Sequence, residues 1–194
     1  DNARERDIYH KASQGLAVLV MPAAVTLALF PGELLTAYTG NPRIAANTGP
    51  LLGLLAIGQA CLATVFMPLS LQLAHGWTSL AFYKNIVAVV LFVPLLLVLV
   101  PRFGATGAAL SWMALTLGYV LFEVLVMHRK LLRGEQWRWY AVDMGVPLLV
   151  SLSVLGATRF MLPHGYAQPW SLAVIAVAGL VAMMGAAMAT PLVR

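Results

Sequence analysis

The chain has 194 residues, of which 61% are hydrophobic and only 10% charged, with a formal net charge of +5 and a mean hydropathy of +0.85. Soluble domains carry about 25% charged residues, so a water-soluble fold with a polar outer shell is excluded and lipid must solvate most side chains. The lone cysteine, Cys61, excludes an intramolecular disulfide, and the basic residues sit in short clusters between apolar runs, a pattern of membrane topology rather than of nucleic-acid binding.

Asp1 to Lys11 are strongly polar, carry no initiator methionine and form no secretory signal. They predict a cytoplasmic lead-in over residues 1–14 of a chain that begins inside a longer one. A helix must then bring about 20 mostly apolar residues to cross about 30 Å of hydrocarbon, where its backbone finds no other hydrogen-bond partner. Six stretches meet that requirement: residues 15–38, 50–73, 79–100, 104–127, 142–162 and 169–192. Helix breakers joined to polar groups separate them at Thr39-Gly40-Asn41-Pro42, His75-Gly76, Pro101-Arg102-Phe103-Gly104, Arg133-Gly134-Glu135 and Pro163-His164-Gly165. Connections this short make consecutive helices antiparallel, and no alternating strand pattern competes. The expected fold is an all-α, polytopic membrane helix bundle: a four-helix part over 15–127, a cytoplasmic loop over 128–141 and two additional transmembrane helices over 142–194.

Lys and Arg orient such a bundle. With a cytoplasmic amino terminus, the inside segments hold Arg4, Arg6, Lys11, Lys84, Arg129, Lys130, Arg133, Arg138 and Arg194, leaving Arg43, Arg102 and Arg159 outside. That bias predicts both ends in the cytoplasm, with Trp137, Trp139 and Tyr140 of the 128–141 loop at headgroup level. Small residues four apart (Gly49 and Gly53, Gly104 and Ala108, Ala114 and Gly118, Ala178, Ala182 and Ala186) mark faces for close helix approach. Pro22, Pro68, Pro94 and Pro147 lie in or near spans, where kinks are tolerated.

Covalent chemistry needs a nucleophile, a base and an orienting group that converge, or a metal cluster. His10, His75, His128 and His164 fall in four separate polar segments with no HxxxH or HExxH pattern, and no GxxxxGK phosphate loop occurs. No catalytic residue, metal site or cofactor is therefore expected. Polar groups at membrane depth remain, each costing about 2.5 to 3.5 kcal/mol at a helix centre if charged. Glu33, Asp143 and Arg159 lie close enough to an interface to snorkel or cap a helix. Trp112, Thr116, Tyr119 and Glu123 share one face of the fourth span, a polar stripe that must meet protein or water. Lys84 and Asn85 open the third span, where a cation meets anionic headgroups or simply anchors the inside end. Gln59 and Gln72, in the second span, need interhelical hydrogen bonds.

A polar lead-in, then Leu35-Thr36-Ala37-Tyr38-Thr39-Gly40-Asn41, Leu71-Gln72-Leu73-Ala74-His75-Gly76, Asn85 and Pro101-Arg102-Phe103-Gly104-Ala105-Thr106-Gly107-Ala108-Ala109 resembles the C-terminal half of bacterial polysaccharide flippases. These belong to the multidrug/oligosaccharidyl-lipid/polysaccharide superfamily. Met127-His128-Arg129 and Trp139-Tyr140-x-x-Asp143 resemble its O-antigen or exopolysaccharide branch. The resemblance implies the second lobe of a two-lobed inner-membrane protein, with an N-terminal lobe and a lipid-linked oligosaccharide as partners. It also implies alternating access that carries an undecaprenyl-diphosphate glycan between leaflets. Lys84, Asn85, Gln72, Arg102, Tyr119 and Glu123 are the substrate-binding candidates, with Lys84 at the cytoplasmic entrance and Arg102 at the outer mouth. Two further readings stand beside it: an ion-coupled drug or metabolite exporter with Glu123 as coupling residue, and a membrane assembly subunit without transport. A polymerase or ligase would need larger loops.

Overall fold

The computed structural model describes residues 2–162 and 169–191. His164, Arg194, the Pro163-His164-Gly165 break and the end of the last expected span lie outside them. Among the described residues the chain is all helix and turn, without a strand: α1 Asn2–Leu29, α2 Pro31–Thr39, α3 Pro42–Ala74, α4 Thr78–Phe103, α5 Ala105–Lys130, a short α6 Gln136–Arg138 that runs into a π-helical segment Trp139–Gly145, then α7 Val146–Met161 and α8 Pro169–Ala189. Six helical segments are long and apolar enough to cross a membrane: Ala3–Leu29, Pro42–Ala74, Thr78–Phe103, Ala105–Lys130, Gln136–Met161 and Trp170–Ala189. The chain is a multi-pass α-helical membrane protein.

Local chemistry explains the breaks. Gly40, at φ 66°, closes α2 by donating its N–H to Thr36, and Asn41 caps α3 by accepting from the Arg43 N–H at 3.0 Å, with Pro42 in the first turn where no N–H is needed. Gly104 turns α4 into α5 at φ 57°. Inside the spans, hydroxyls bond back to their own helix: Thr26 to Pro22, Ser70 to Phe66, Ser111 to Gly107 and Ser151 to Pro147. Each of these hydroxyls is thereby satisfied without water.

The helices stand in a row. α4 leans on α5, α5 on α3, α3 on α1, and α1 on α7 and α8, which pack together. One apolar core gathers Tyr9, Val124, Met127 and Trp139; the other gathers Phe30, Leu155, Ile175 and Ala182. Glu5 lies 3.2 Å from His75, Arg6 lies 3.6 Å from Glu135, and the Lys130 ammonium sits 3.8 Å from the centre of the Trp77 ring. These contacts put the start of α1, the α3–α4 junction and the segment after α5 at one end of the bundle. Glu33 and Arg159 pair at the other.

Three expectations shift. The first span does not run over 15–38: the helix starts at Asn2, breaks at Phe30 (φ −122°, ψ 38°), and restarts at Pro31 as a separate short helix. From Asn2 onward, the residues of the expected lead-in are helical and form the opening turns of α1. The 128–141 stretch is mostly helical, with α5 continuing to Lys130 and α6 beginning at Gln136. Ala114 and Gly118 do not form a packed helix face; Ala114 is exposed, and both line an open cleft against α4. Gly104 is likewise exposed, with open space around it, and serves as the turn rather than as a packed face with Ala108, whereas Gly49 meets Pro31 and Gly32, Gly53 meets Ala28, and Ala178, Ala182 and Ala186 are buried.

Candidate functional site

Four of the sequence-selected residues converge where α3, α4 and α5 meet. Glu123 is only 3% exposed, too deep for a carboxylate that merely reaches an interface, and both of its oxygens are engaged. Gln72 Nε2 donates to Oε1 at 3.0 Å, and Lys84 Nζ donates to Oε2 at 2.8 Å. Lys84 Nζ also stands 4.7 Å from the centre of the Tyr119 ring, within reach of its negative face. Of the two surroundings open to the stripe on α5, protein or water, it meets protein, turning toward α3 and α4. Its lower members do the same: Thr116 is buried, and the Trp112 indole donates to Gln59 Oε1 at 3.3 Å, the interhelical bond expected for that amide.

Below the ion pair lies a cleft of about 580 Å³ between α4 and α5. Its walls are almost wholly apolar, Leu91, Phe92 and Leu95 from α4 facing Leu115, Gly118 and Phe122 from α5, with Lys84 and Glu123 at its head. Ala114 and Gly118 leave room on the α5 side, with no atom within 4 Å of a Cβ placed on Gly118. At the Gly104 end the two helices instead touch: a Cβ on Gly107 would fall 2.2 Å from the Leu99 carbonyl oxygen. The pair is pinned at the turn and opens toward Lys84. Asn85 is exposed beside Lys84, and Arg102, in the last turn of α4, is exposed at the opposite end of the bundle. The structure does not bring Asn85 or Arg102 into the ion-paired cluster.

A second polar cluster was not foreseen. Asp143 neither snorkels nor caps; it is fully buried, with one carboxylate oxygen against His10 Nδ1 and the other accepting from Gln14 Nε2 at 2.7 Å. Glu135 Oε2 lies 3.3 Å from His10 Nε2. Tyr9 Oη lies 3.4 Å from His128 Nε2, and the Trp139 indole donates to Ser13 Oγ at 3.3 Å. Two of the four histidines, separate in sequence, therefore meet around Tyr9. Glu33 and Arg159 likewise do not act alone as interface residues but form an ion pair joining α2 to α7, with the guanidinium 5.6 Å from the Phe30 ring centre.

Signals for both clusters were present in the sequence. Lys84 and Glu123 are nearly equidistant from the Gly104 turn, so an antiparallel hairpin sets them opposite each other. His10, Gln14, Ala17 and Met21 share one face of α1 at helical spacing, and all four are buried.

Among the described residues the arrangement holds no group of three or more metal-ligating side chains. What it can do is bind: an ammonium held by a buried carboxylate, above an apolar groove open to the surroundings of the bundle. No protein-family model, curated protein or solved structure matches the chain.

Proposed function

We propose that the chain is a lobe of a transporter that carries an undecaprenyl-diphosphate-linked oligosaccharide, of the O-antigen or exopolysaccharide kind, from the cytoplasmic to the periplasmic leaflet of a bacterial inner membrane. One observation carries this reading: Lys84, Glu123 and Tyr119 head an apolar cleft between two membrane-crossing helices. A polyprenyl diphosphate has the same two parts, a long apolar chain and an anionic head. The ammonium has three N–H donors, of which Glu123 engages one, so an anion can join it. Glu123 stabilises the cation when no substrate is present, since an unpaired charge at that depth costs several kcal/mol. Passage by alternating access shields the diphosphate from hydrocarbon without breaking a covalent bond. The sequence resemblance to the second lobe of polysaccharide flippases points the same way, and in that reading a first lobe supplies the other wall of the pathway.

The burial of Glu123 favours a second reading, an ion-coupled exporter of drugs or metabolites. There the carboxylate would release Lys84 on taking up a proton or a sodium ion.

Leaflet-resolved glycan accumulation separates the two. Lys84→Ala in the parent protein should abolish export per molecule of folded protein in the membrane, and Lys84→Arg should restore it. Normal export by Lys84→Ala rejects the first reading. Ion-driven efflux that Glu123→Gln abolishes, with glycan export intact, selects the second.

A further inference from the structure

The buried cluster on α1 is chemically distinct from the cleft and serves none of the steps above. His10 and Asp143 are both fully buried, and Nδ1 of the ring faces Oδ2 of Asp143. Nε2, on the other side of the ring, faces Glu135 Oε2 at 3.3 Å, yet it makes no hydrogen bond. A carboxylate offers only lone pairs, and a neutral imidazole offers one N–H. Two ring-to-carboxylate contacts therefore require two protons, one more than a neutral ring between two ionised carboxylates supplies.

We propose that His10, Glu135 and Asp143 form a binding site for one additional proton, taken up between His10 Nε2 and Glu135 Oε2. Bound there, the proton turns two opposed lone pairs into an attraction and ties α1 to the segment after α5. In its absence Glu135 turns to Arg6 Nη1, 3.6 Å away, and Arg138 Nη1, 3.8 Å away. The site is reached from outside through Glu135, whose side chain keeps 21% of its exposure, and it ends blind at Asp143.

The surroundings are consistent with this. On α1 itself, Tyr9 is taken by His128 of α5, and Glu5 by His75 at the end of α3. Gln14 donates to the far oxygen of Asp143, fixing it so that the first oxygen stays on His10. From the π-helical segment Trp139 engages Ser13, and Tyr140 Oη donates to the Val120 carbonyl at 2.6 Å. On α7, Arg159 is committed to Glu33 at the far end of the bundle, and the described part of α8 carries no charged side chain. The widened π turn is what carries Asp143 into contact with α1, and such turns recur at functional sites. A proton shared this way belongs to the trio rather than to one residue.

The test uses the full chain in lipid nanodiscs, with ¹⁵N-labelled histidine and an infrared spectrum in the carboxylic-acid C=O region, across the pH range in which the protein stays folded. The expected result is a doubly protonated His10 ring or a carboxylic-acid band at neutral pH, and loss of that signal in Glu135→Gln, whose amide can donate to Nε2. His10→Gln assigns the ring signals; if that variant does not fold, His75→Gln, His128→Gln and His164→Gln assign them by exclusion. A singly protonated ring with no acid band throughout overturns the proposal. So does a signal that persists unchanged in Glu135→Gln.

Discussion

Lys84 and Glu123, on adjacent antiparallel helices, face each other at 2.8 Å across the head of the α4–α5 cleft. Removing the cation alone strands a buried carboxylate with an amide, Gln72, as its remaining partner among the described residues. Lys84→Ala should lower stability by about 3 kcal/mol, at the low end for a broken buried pair because Lys84 keeps some exposure. Lys84→Met combined with Glu123→Gln should recover most of that loss. Denaturant unfolding in mild detergent, run as a double-mutant cycle, checks both; equal losses in the single and the double variant would contradict the pairing.

Gly107 and Gly118 make opposite predictions on the same helix. A methyl at Gly107 meets the Leu99 carbonyl oxygen at 2.2 Å, backbone that cannot give way, whereas nothing lies within 4 Å of a methyl at Gly118. Gly107→Ala should cost about 2 kcal/mol by overpacking, and Gly118→Ala should change stability by less than about 0.5 kcal/mol. Gly118→Leu should fill the cleft and leave the unfolding midpoint in place, and under the transport function proposed above export should fall.

At the far end of the bundle, Glu33→Gln and Arg159→Gln should each cost about 1 kcal/mol, since the guanidinium is partly exposed and solvent screens the pair. The reversed pair, Glu33→Arg with Arg159→Glu, should regain part of the loss. Thermal unfolding of all four variants at low and high salt measures the coupling, which should shrink as salt rises.

Membrane orientation is open to labelling. In a Cys61→Ala background, Arg133→Cys after α5 and Tyr38→Cys, a position 89% exposed on α2, lie at opposite ends of the bundle. The distribution of Lys and Arg predicts that an impermeant thiol reagent reaches Arg133→Cys only from the cytoplasm and Tyr38→Cys only from outside. Labelling of both from one side would refute the two-ended arrangement.

The spans of α3, α4 and α5 were legible because each is a long apolar run bounded by turn glycines: Gly40 and Gly76 around α3, Gly76 and Gly104 around α4, Gly104 and Gly134 around α5. The first span was misjudged for a physical reason. The interruption at Pro31-Gly32-Glu33 is only three residues long before apolar residues resume at Leu34, too short to divide the run, and the polar residues His10, Ser13 and Gln14 read as solvated although all three are buried. Polarity alone cannot separate a side chain that faces water from one that faces another polar side chain. The same limit hid Asp143, whose partners stand well over a hundred positions earlier in the chain. Glu123 was legible because its neighbours on one helix face, Thr116 and Tyr119, gave the stripe a direction; its partner Lys84 needed the hairpin register as well.

The π-helical segment Trp139–Gly145 also fixes a phase. A π turn holds one residue more than an α turn, and each residue of an α-helix advances its side chain by about 100°. Deleting a single residue there would rewind the segment to α geometry and rotate everything ahead of it relative to α7. Trp139 would leave Ser13 and Tyr140 would leave the Val120 carbonyl, while Ser151 and Leu155 further along α7 kept their places. The two halves of this crossing are therefore keyed to each other by residue count, so that length in this stretch constrains the protein as tightly as composition does.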